Sequence, residues 1–279
     1  MKCKSKAGKI ILSIVFTLFS IAYICPILIV IANSFKRKAY INKYPFQFPN
    51  GKMFVGLENY IEGIAKIDFF HAFGWTLFIT VGSVALIILC TSMCAWYITR
   101  VQSKFTAGIY YLCLFSMIVP FQMVMFTLSK VANTLHLGNP WGIMIIYLGF
   151  GAGLSVFMFC GFVKGIPIEI EEAAMIDGCN PLQTFFRVVL PVLKPTTITV
   201  AILQSMWIWN DYLLPYLVLD TKKYKTISIA VQYLKGGYGS IDWGAMMAML
   251  VLAIVPIIIF YVVCQKFIID GVVAGAVKG

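Results

Sequence analysis

The sequence predicts an all-α integral membrane protein that crosses the bilayer six times. Hydrophobic residues make up 61% of the chain and charged residues only 12%, whereas soluble domains carry about 25% charged residues. Six apolar stretches reach roughly twenty residues each, the length that spans a hydrocarbon core of about 30 Å. Between the fourth and fifth stretches lies a polar island, residues 167–195, which is rich in acids although the chain as a whole is poor in them.

The first predicted span follows a lysine-rich N-terminal segment. Its apolar run, residues 10–31, is longer than the roughly 7–15 residues of a signal-peptide core, so we interpret it as an uncleaved helix. The other predicted spans are 72–98, 106–128, 141–163, 196–219 and 244–264. The chain then divides into an N-terminal helix with an external connection (1–71), a five-helix core (72–266) and a C-terminal tail (267–279).

Two local features modify these spans and connections. Pro120 lacks a backbone N–H, so it frees a carbonyl group and predicts a kink in the third span. The connection after the first span is polar and contains a short predicted helix near residues 57–65. The segment 265–279 is too rich in small residues to form a surface helix of its own.

The polar island predicts two short helices joined by a glycine. The first covers about residues 167–177, and Gly178 is placed to end it. The second begins at Asn180 and Pro181, an N-cap residue followed by proline at the first helical position, and is expected to end near residue 189, before Pro191. Its apolar residues recur at helical spacing and predict one apolar face: Leu182, Phe185, Phe186 and Val189.

The spacing within the island resembles the EAA loop of ABC importer permeases. Three residues separate the alanine pair from the glycine, and nine separate the glycine from the last group. The matching residues are Glu172, Ala173, Ala174, Gly178, Val188, Leu190 and Pro191, with Val188 where isoleucine is usual. In that family the loop is a pair of cytoplasmic coupling helices that docks into a cleft on the ATP-binding subunit. The alternative is an interfacial amphipathic loop without a partner.

Further stretches resemble the carbohydrate branch of this family, which includes the shorter membrane subunit of the maltose system. They are Asn33-Ser34-Phe35-Lys36, Val119-Pro120-Phe121-Gln122, Trp209-Asn210-Asp211 and the ending 273–279, with Val273 where threonine is usual. The resemblance covers essentially the whole chain. It implies a type I ABC importer fold with cytoplasmic EAA coupling helices, in which helices two to six form the core.

The resemblance also implies the partners. They are a second homologous permease, two ATP-binding subunits, an extracytoplasmic solute-binding protein and a sugar. ATP and Mg would be bound by the ATPase subunits, so this chain is expected to hold no cofactor or metal and to have no catalytic residues. The implied coupling residues are Glu169, Glu172, Ala173, Ala174, Asp177, Gly178, Leu190 and Pro191. Glu172 would anchor the loop to donors on the ATPase. The loop that would contact the solute-binding protein holds Gly236, Gly237, Tyr238 and Gly239.

The fifth predicted span carries polar residues at spacings of three and four, which places them on one helix face. They are Gln204, Trp207, Asn210 and Asp211. An ionisable residue at membrane depth is a candidate for a functional site, and an aromatic ring beside amides and a carboxylate suits a sugar. The alternative is that these residues join helices to one another, as polar residues commonly do in membrane bundles.

The charge distribution does not decide the orientation. Eleven of the 22 lysines and arginines fall on each side of the predicted spans, so the positive-inside rule is neutral. The resemblance requires both termini to be cytoplasmic, in a bacterial cytoplasmic membrane. The basic residues form no stripe, which argues against nucleic-acid binding. An importer for another solute and an ion-coupled secondary transporter remain alternatives, although the latter usually needs several carboxylates within the membrane.

Overall fold

The computed structural model describes residues 6–235 and 241–276, with side chains described over 8–235 and 241–267. The described residues are almost entirely helical. A 3₁₀ turn covers Gly51–Met53 and a π turn covers Phe185–Val189. The α-helices are α1 (Lys6–Ser34), α2 (Lys38–Lys43), α3 (Glu58–Ile67), α4 (Phe69–Arg100), α5 (Lys104–Ile118), α6 (Phe121–Thr134), α7 (Pro140–Val163), α8 (Ile168–Ile176), α9 (Pro181–Thr184), α10 (Leu190–Val192), α11 (Lys194–Asn210), α12 (Leu213–Val218), α13 (Ile227–Gln232) and α14 (Trp243–Ala276).

Four helices of the described chain, α1, α4, α7 and α14, are long and apolar enough to cross a membrane by themselves. Two bent helix pairs bring the number to six if each pair is one span. One pair is α5 with α6, and the other joins Pro181–Val192 to α11. The six predicted spans are therefore all present as helices, two of them in broken form.

The third span is broken rather than kinked. Helices α5 and α6 meet at an angle of 108°, which is more than the predicted kink at Pro120. Val119, the residue before the proline, is extended with φ −75° and ψ 115°, and Pro120 is the N-cap of α6. Proline disfavours helical geometry in the preceding residue and offers no N–H to continue the ladder, so one helix ends and another begins.

The predicted bounds of the fifth and sixth spans also change. Helix α11 ends at Asn210, and Asp211 is extended (φ −71°, ψ 128°), so the predicted span 196–219 is divided between α11 and α12. The last helix, α14, continues through Ala276. The segment expected to be a tail after residue 266 is thus mostly a continuation of the last helix.

The contacts divide the chain into two compact units. The smaller combines residues 1–70 with 230–256, and in it α3 packs closely against α14, where Gly63 leaves room for Met249. The larger combines residues 71–229 with 257–279. Its core has two apolar clusters, one around Ile87 and Tyr147 and the other around Phe159 and Phe185. The second cluster includes residues of the polar island and so supports the candidate site.

Candidate functional site

The first half of the polar island forms the short helix α8. Its first turn contains Glu169 and Glu171, where acidic side chains interact favourably with the helix dipole. Its last turn ends in a Schellman motif: the N–H of Gly178 donates to the Met175 carbonyl and the N–H of Cys179 to the Ala174 carbonyl, both at 3.0 Å. Gly178 has φ +86°, a conformation that glycine adopts without strain. The predicted turn at this glycine is confirmed.

A buried ion pair holds α8 against the end of α4. The Arg100 guanidinium donates to Glu171 Oε1 from Nε at 3.0 Å and from Nη2 at 2.7 Å, and Nη2 also donates to the Ile166 carbonyl at 2.9 Å. Trp96 Nε1 donates to the other carboxylate oxygen, Oε2, at 2.9 Å. Glu171 is almost fully buried. Both of its oxygens have partners, so the charge can be buried.

Glu171 and Arg100 are functional candidates that the sequence reasoning missed. The motif directs attention to Glu172, but Glu172 is exposed, as are Glu169 and Ala173, whereas Glu171 and Ala174 are buried. A spacing of three places Glu171 and Ala174 on one helix face, which is the face that meets the bundle. An arginine at the end of the second span, with an acid-rich segment two spans later, was the available signal for this pair.

The second half of the island is one continuous helix, Pro181–Val192, that meets α11 at an angle of 77°. Asn180 and Gln183 form a capping box, with each side chain accepting from the other's backbone N–H at 2.9 Å. The π turn then passes into α10, where the Leu190 N–H donates to the Phe185 carbonyl. The helix therefore continues past Pro191 to Val192, which corrects the predicted end near residue 189. The π turn lies immediately before Pro191, whose missing N–H interrupts the regular α-helical hydrogen bonds at this point.

The surface of the island is both apolar and acidic. Ile176 is 85% exposed, and five other large apolar side chains between residues 168 and 186 are also exposed. Glu169, Glu172 and Asp177 lie exposed among them. The remaining apolar members are Ile168, Ile170, Met175, Leu182 and Phe186. An exposed apolar patch edged by charges is typical of a protein interaction site.

The polar residues predicted on one face of the fifth span have different environments. Gln204 is buried and its Nε2 donates to the Gly151 carbonyl at 3.3 Å and to Ser155 Oγ at 3.1 Å, which joins α11 to α7. Trp207 is 42% exposed and its ring contacts that of Tyr147 edge to face, with centroids 5.5 Å apart. Asn210 is exposed and donates to the Met206 carbonyl at 2.7 Å.

Asp211 lies at the break between α11 and α12 rather than on a helix face. Its Oδ1 accepts from the backbone N–H groups of Leu213 at 3.0 Å and Leu214 at 3.4 Å, so it caps α12. Its Oδ2 accepts from the Tyr147 hydroxyl at 3.0 Å. The single face predicted from spacing therefore ends at Asn210. The structure brings Trp207 and Asp211 together through Tyr147, which the sequence analysis did not single out.

The loop predicted to contact a solute-binding protein, Gly236 to Gly239, lies outside the described residues. Its ends are held together, since Lys235 and Ile241 form a β-bridge and the Asp242 N–H donates to the Leu234 carbonyl at 3.0 Å. Asp242 also pairs with Lys66 of α3 at 2.6 Å. Burial alone would raise the pKa of the Asp242 carboxyl, but the hydrogen bond from Lys66 lowers it overall.

The fold and this site define a class: a multi-pass helical membrane protein with a short helix pair that exposes an apolar and acidic surface. A comparison with known families identifies the family. Residues 87–273 match the model described as the binding-protein-dependent transport system inner membrane component, and the chain belongs to this family. This match confirms the recognition of an ABC importer permease made from the EAA loop.

Curated relatives match over nearly the full length. A protein of Thermoanaerobacterium thermosulfurigenes, described as the probable permease AmyC of a transport system for starch degradation products, is 38% identical over 99% of this chain and 99% of its own. The permease MsmG of a multiple sugar-binding transport system in Streptococcus mutans is 32% identical over 100% of both chains. These matches confirm the resemblance to the carbohydrate branch.

Solved structures agree on the fold. A chain from a bacterial ABC transporter involved in the import of the acidic polysaccharide alginate superposes with a TM-score of 0.79, over 95% of this chain and 99% of that one, at 20% identity. A second structure of a bacterial alginate ABC transporter, in complex with a pentasaccharide-bound periplasmic protein, matches with a TM-score of 0.62. At this identity the similarity establishes the type I importer permease fold.

Proposed function

We propose that this chain is one of two permease subunits of an ABC importer that moves a carbohydrate across the bacterial cytoplasmic membrane. The observation that carries the proposal is the full-length similarity to relatives described as sugar permeases. The solute-binding protein, a second homologous permease and two ATP-binding subunits complete the importer. ATP and Mg are bound and used by the ATP-binding subunits, so this chain is a transport subunit and has no catalytic residues of its own.

The coupling helix α8 receives the mechanical signal in this proposal. Its outward face, with the highly exposed Ile176 and the acids Glu169 and Glu172, docks into the cleft of one ATP-binding subunit. Its inward face is held to the bundle by Glu171 and Arg100. Closure of the ATP-binding dimer therefore displaces α8 together with the end of α4, because the buried ion pair resists their separation. The two permeases then rock as rigid bodies to expose the substrate cavity.

The remaining coupling residues shape the docking helix pair. Ala173 is exposed and small, so it allows close approach of the partner, while the buried Ala174 packs against the bundle. Asp177 and Gly178 form the turn between the two halves. Leu190 and Pro191 continue the second half toward the bend that precedes α11.

The orientation follows from the docking partner. ATP-binding subunits are cytoplasmic, so the polar island and, across an even number of spans on each side, both termini are cytoplasmic. The loop Gly236–Gly239 then faces the solute-binding protein. The base of this loop is held by the Lys235–Ile241 bridge and the Lys66–Asp242 ion pair, which supports such a contact.

The sugar would pass near the exposed ring of Trp207. This ring is oriented by Tyr147, and the Tyr147 hydroxyl is held by Asp211. In this proposal Gln204 and Asp211 support the helices, while Trp207 and the exposed Asn210 remain available to the pathway.

Co-purification and transport test the proposal together. The tagged chain, expressed with its chromosomal neighbours, should purify with a second permease and an ATPase, and proteoliposomes of this complex should import a labelled oligosaccharide only when ATP is inside and the binding protein outside. Import of an amino acid or phosphate in place of a sugar would show that the substrate is not a carbohydrate, although the chain would still be an importer permease. Purification without an ATPase, with import driven by an ion gradient, would overturn the importer assignment.

A further inference from the structure

The connection after α1 is folded back onto the end of that helix by a buried lysine. Lys36 has a relative exposure of 0%, and its Nζ donates to Asn33 Oδ1 at 3.0 Å and to the Tyr44 carbonyl at 2.9 Å. Asn33 Nδ2 donates to the Pro45 carbonyl at 2.9 Å. One side chain in the last turn of α1 and one two residues beyond its end therefore hold residues 44–45 beside the helix.

A second set of contacts holds the rest of the connection in place. Asn59 Nδ2 donates to the Ser34 carbonyl at 2.7 Å and to the Lys36 carbonyl at 2.9 Å. The Arg37 N–H donates to the Met53 carbonyl at 2.8 Å, beside an isolated β-bridge between Lys36 and Phe54. The segment from 35 to 55 is therefore a folded structure attached to the end of α1.

This geometry determines how far the segment lies from the membrane. The apolar part of α1 covers the 27 residues Gly8–Ser34, which at 1.5 Å per residue is about 40 Å, the thickness of a bilayer with its headgroup regions. Helix α1 therefore ends, at Ser34, in the headgroup layer. Phe46 and Phe48 follow Pro45 by one and three residues, so the backbone can carry them at most about 11 Å from that point. Both rings are 79% exposed.

The same segment is strongly basic. Residues 35–57 contain five lysines and arginines and no acid. Arg37, Lys38 and Lys43 are exposed and lie on or beside α2. Exposed cations next to a span end attract anionic headgroups, and aromatic rings insert at the interface. Binding of anionic lipid headgroups would also explain why basic residues, without any acid, follow the first span in residues 35–57.

We propose that residues 37–48 form a binding surface for anionic phospholipid headgroups at the leaflet where α1 ends. Arg37, Lys38 and Lys43 contact the headgroup phosphates, and Phe46 and Phe48 insert between the lipids. If the chain is oriented as in the proposed function, α1 ends at the outer leaflet. The assignment to the outer leaflet rests on the proposed function, whereas the lipid-binding surface itself does not. An acidic face of the solute-binding protein is the competing occupant, and the experiment separates the two.

Lipid retention by the full-length chain tests the charged part of the surface. The chain is purified from detergent with equimolar phosphatidylglycerol and phosphatidylcholine, and bound lipids are counted by native mass spectrometry. We expect a preference for phosphatidylglycerol that falls at least about tenfold in the triple variant Arg37→Gln, Lys38→Gln, Lys43→Gln. A matched control, Lys130→Gln, Lys222→Gln, Lys223→Gln, removes the same exposed charge elsewhere and should keep the preference.

Photocrosslinking tests the aromatic part. With p-benzoylphenylalanine at position 48, the chain in phosphatidylglycerol-containing nanodiscs should form a lipid adduct on illumination, also when the solute-binding protein is present. An unchanged lipid preference in the first triple variant would overturn the proposal, as would a crosslink from position 48 to the binding protein in place of lipid. Neither measurement uses ATP or sugar, so failure of the proposed transport function would leave both results intact.

Discussion

The ion pair between Glu171 and Arg100 gives the sharpest prediction for the coupling loop. Replacing Glu171 by glutamine keeps the shape of the side chain but removes its charge. The amide offers one acceptor oxygen, while three N–H donors, two on Arg100 and one on Trp96, now converge on the carboxylate. At least one donor must then face the NH₂ group of the amide. We expect α8 to separate from the end of α4.

The expected size of the effect follows from burial. Removing one partner of a buried pair destabilises a protein by about 3–5 kcal/mol. The Arg100 side chain is 18% exposed and keeps its bond to the Ile166 carbonyl, so we expect the lower end, about 3 kcal/mol. Glu172→Gln is the matched control one residue away. It changes an exposed carboxylate and should alter stability by less than about 0.5 kcal/mol.

Two assays distinguish loss of stability from loss of coupling. Unfolding of the full-length chain in detergent should begin at a lower temperature for Glu171→Gln than for Glu172→Gln. In the assembled complex, Glu171→Gln should uncouple ATP hydrolysis from transport, so that ATPase activity responds less to the solute-binding protein.

The double variant Arg100→Met, Glu171→Leu should recover part of the lost stability, because an apolar pair leaves no buried charge. If Glu171→Gln unfolds like the wild type, or if Glu172→Gln is destabilised equally, the ion pair does not hold the coupling helix and the reasoning fails.

Four further predictions concern other contacts. Gly178→Val forces a side chain into a backbone at φ +86°, at about 1–2 kcal/mol, and should abolish ATPase stimulation while membrane insertion is retained. Gln204→Leu removes the bonds between α11 and α7 and should lower stability by about 1 kcal/mol. Asp211→Ala removes the cap of α12 and should cost about 1 kcal/mol, seen as faster proteolysis after residue 211. Because pairing with Lys66 lowers the pKa of Asp242, the stability it adds should be present at neutral pH and lost as pH falls below 3.8.

Each of these predictions has a control and a contradicting result. Normal transport by Gly178→Val would refute the need for the turn, and Gly178→Ala should be milder. Gln204→Met keeps the volume but cannot donate these hydrogen bonds, so it should be destabilised like Gln204→Leu. An unchanged unfolding temperature in Gln204→Leu would show that Gln204 does not join the two helices. Asp211→Asn, which can still cap, should resist proteolysis better than Asp211→Ala. Asp242→Asn should lose less stability than the wild type as pH falls below 3.8. An equal loss in both proteins would contradict the role given to the Lys66–Asp242 pair.

Much of this protein was predictable from residue patterns. Long apolar runs give transmembrane helices because a helix satisfies its own backbone hydrogen bonds in lipid. Four of the six predicted spans are single helices long and apolar enough to cross a membrane, and the other two fall in bent or broken helices of the described chain. The turn at Gly178 was predictable because only a local signal, glycine at a helix end, is needed. The helix starting at Asn180 followed for the same reason, and the spacing of the EAA loop identified the family.

The errors concern geometry that residue spacing along the chain does not report. Pro120 was expected to kink the third span but ends a helix, because its neighbour becomes extended and the chain turns by 108°. Asp211 was placed on a helix face, yet it caps α12 and receives the Tyr147 hydroxyl, a partner 64 residues earlier. Spacing along one helix does not report such partners.

The sequence by itself determined the class, the apolar segments, the family and the position of the EAA loop, since each depends on local composition or a short motif. Only the tertiary structure decided which acid of that loop faces the protein. Glu171 and Glu172 are adjacent and chemically equivalent, and their roles differ because helix geometry turns one toward Arg100 and the other toward solvent. Burial, rather than residue type, makes one carboxylate an internal anchor and leaves the next available to a partner.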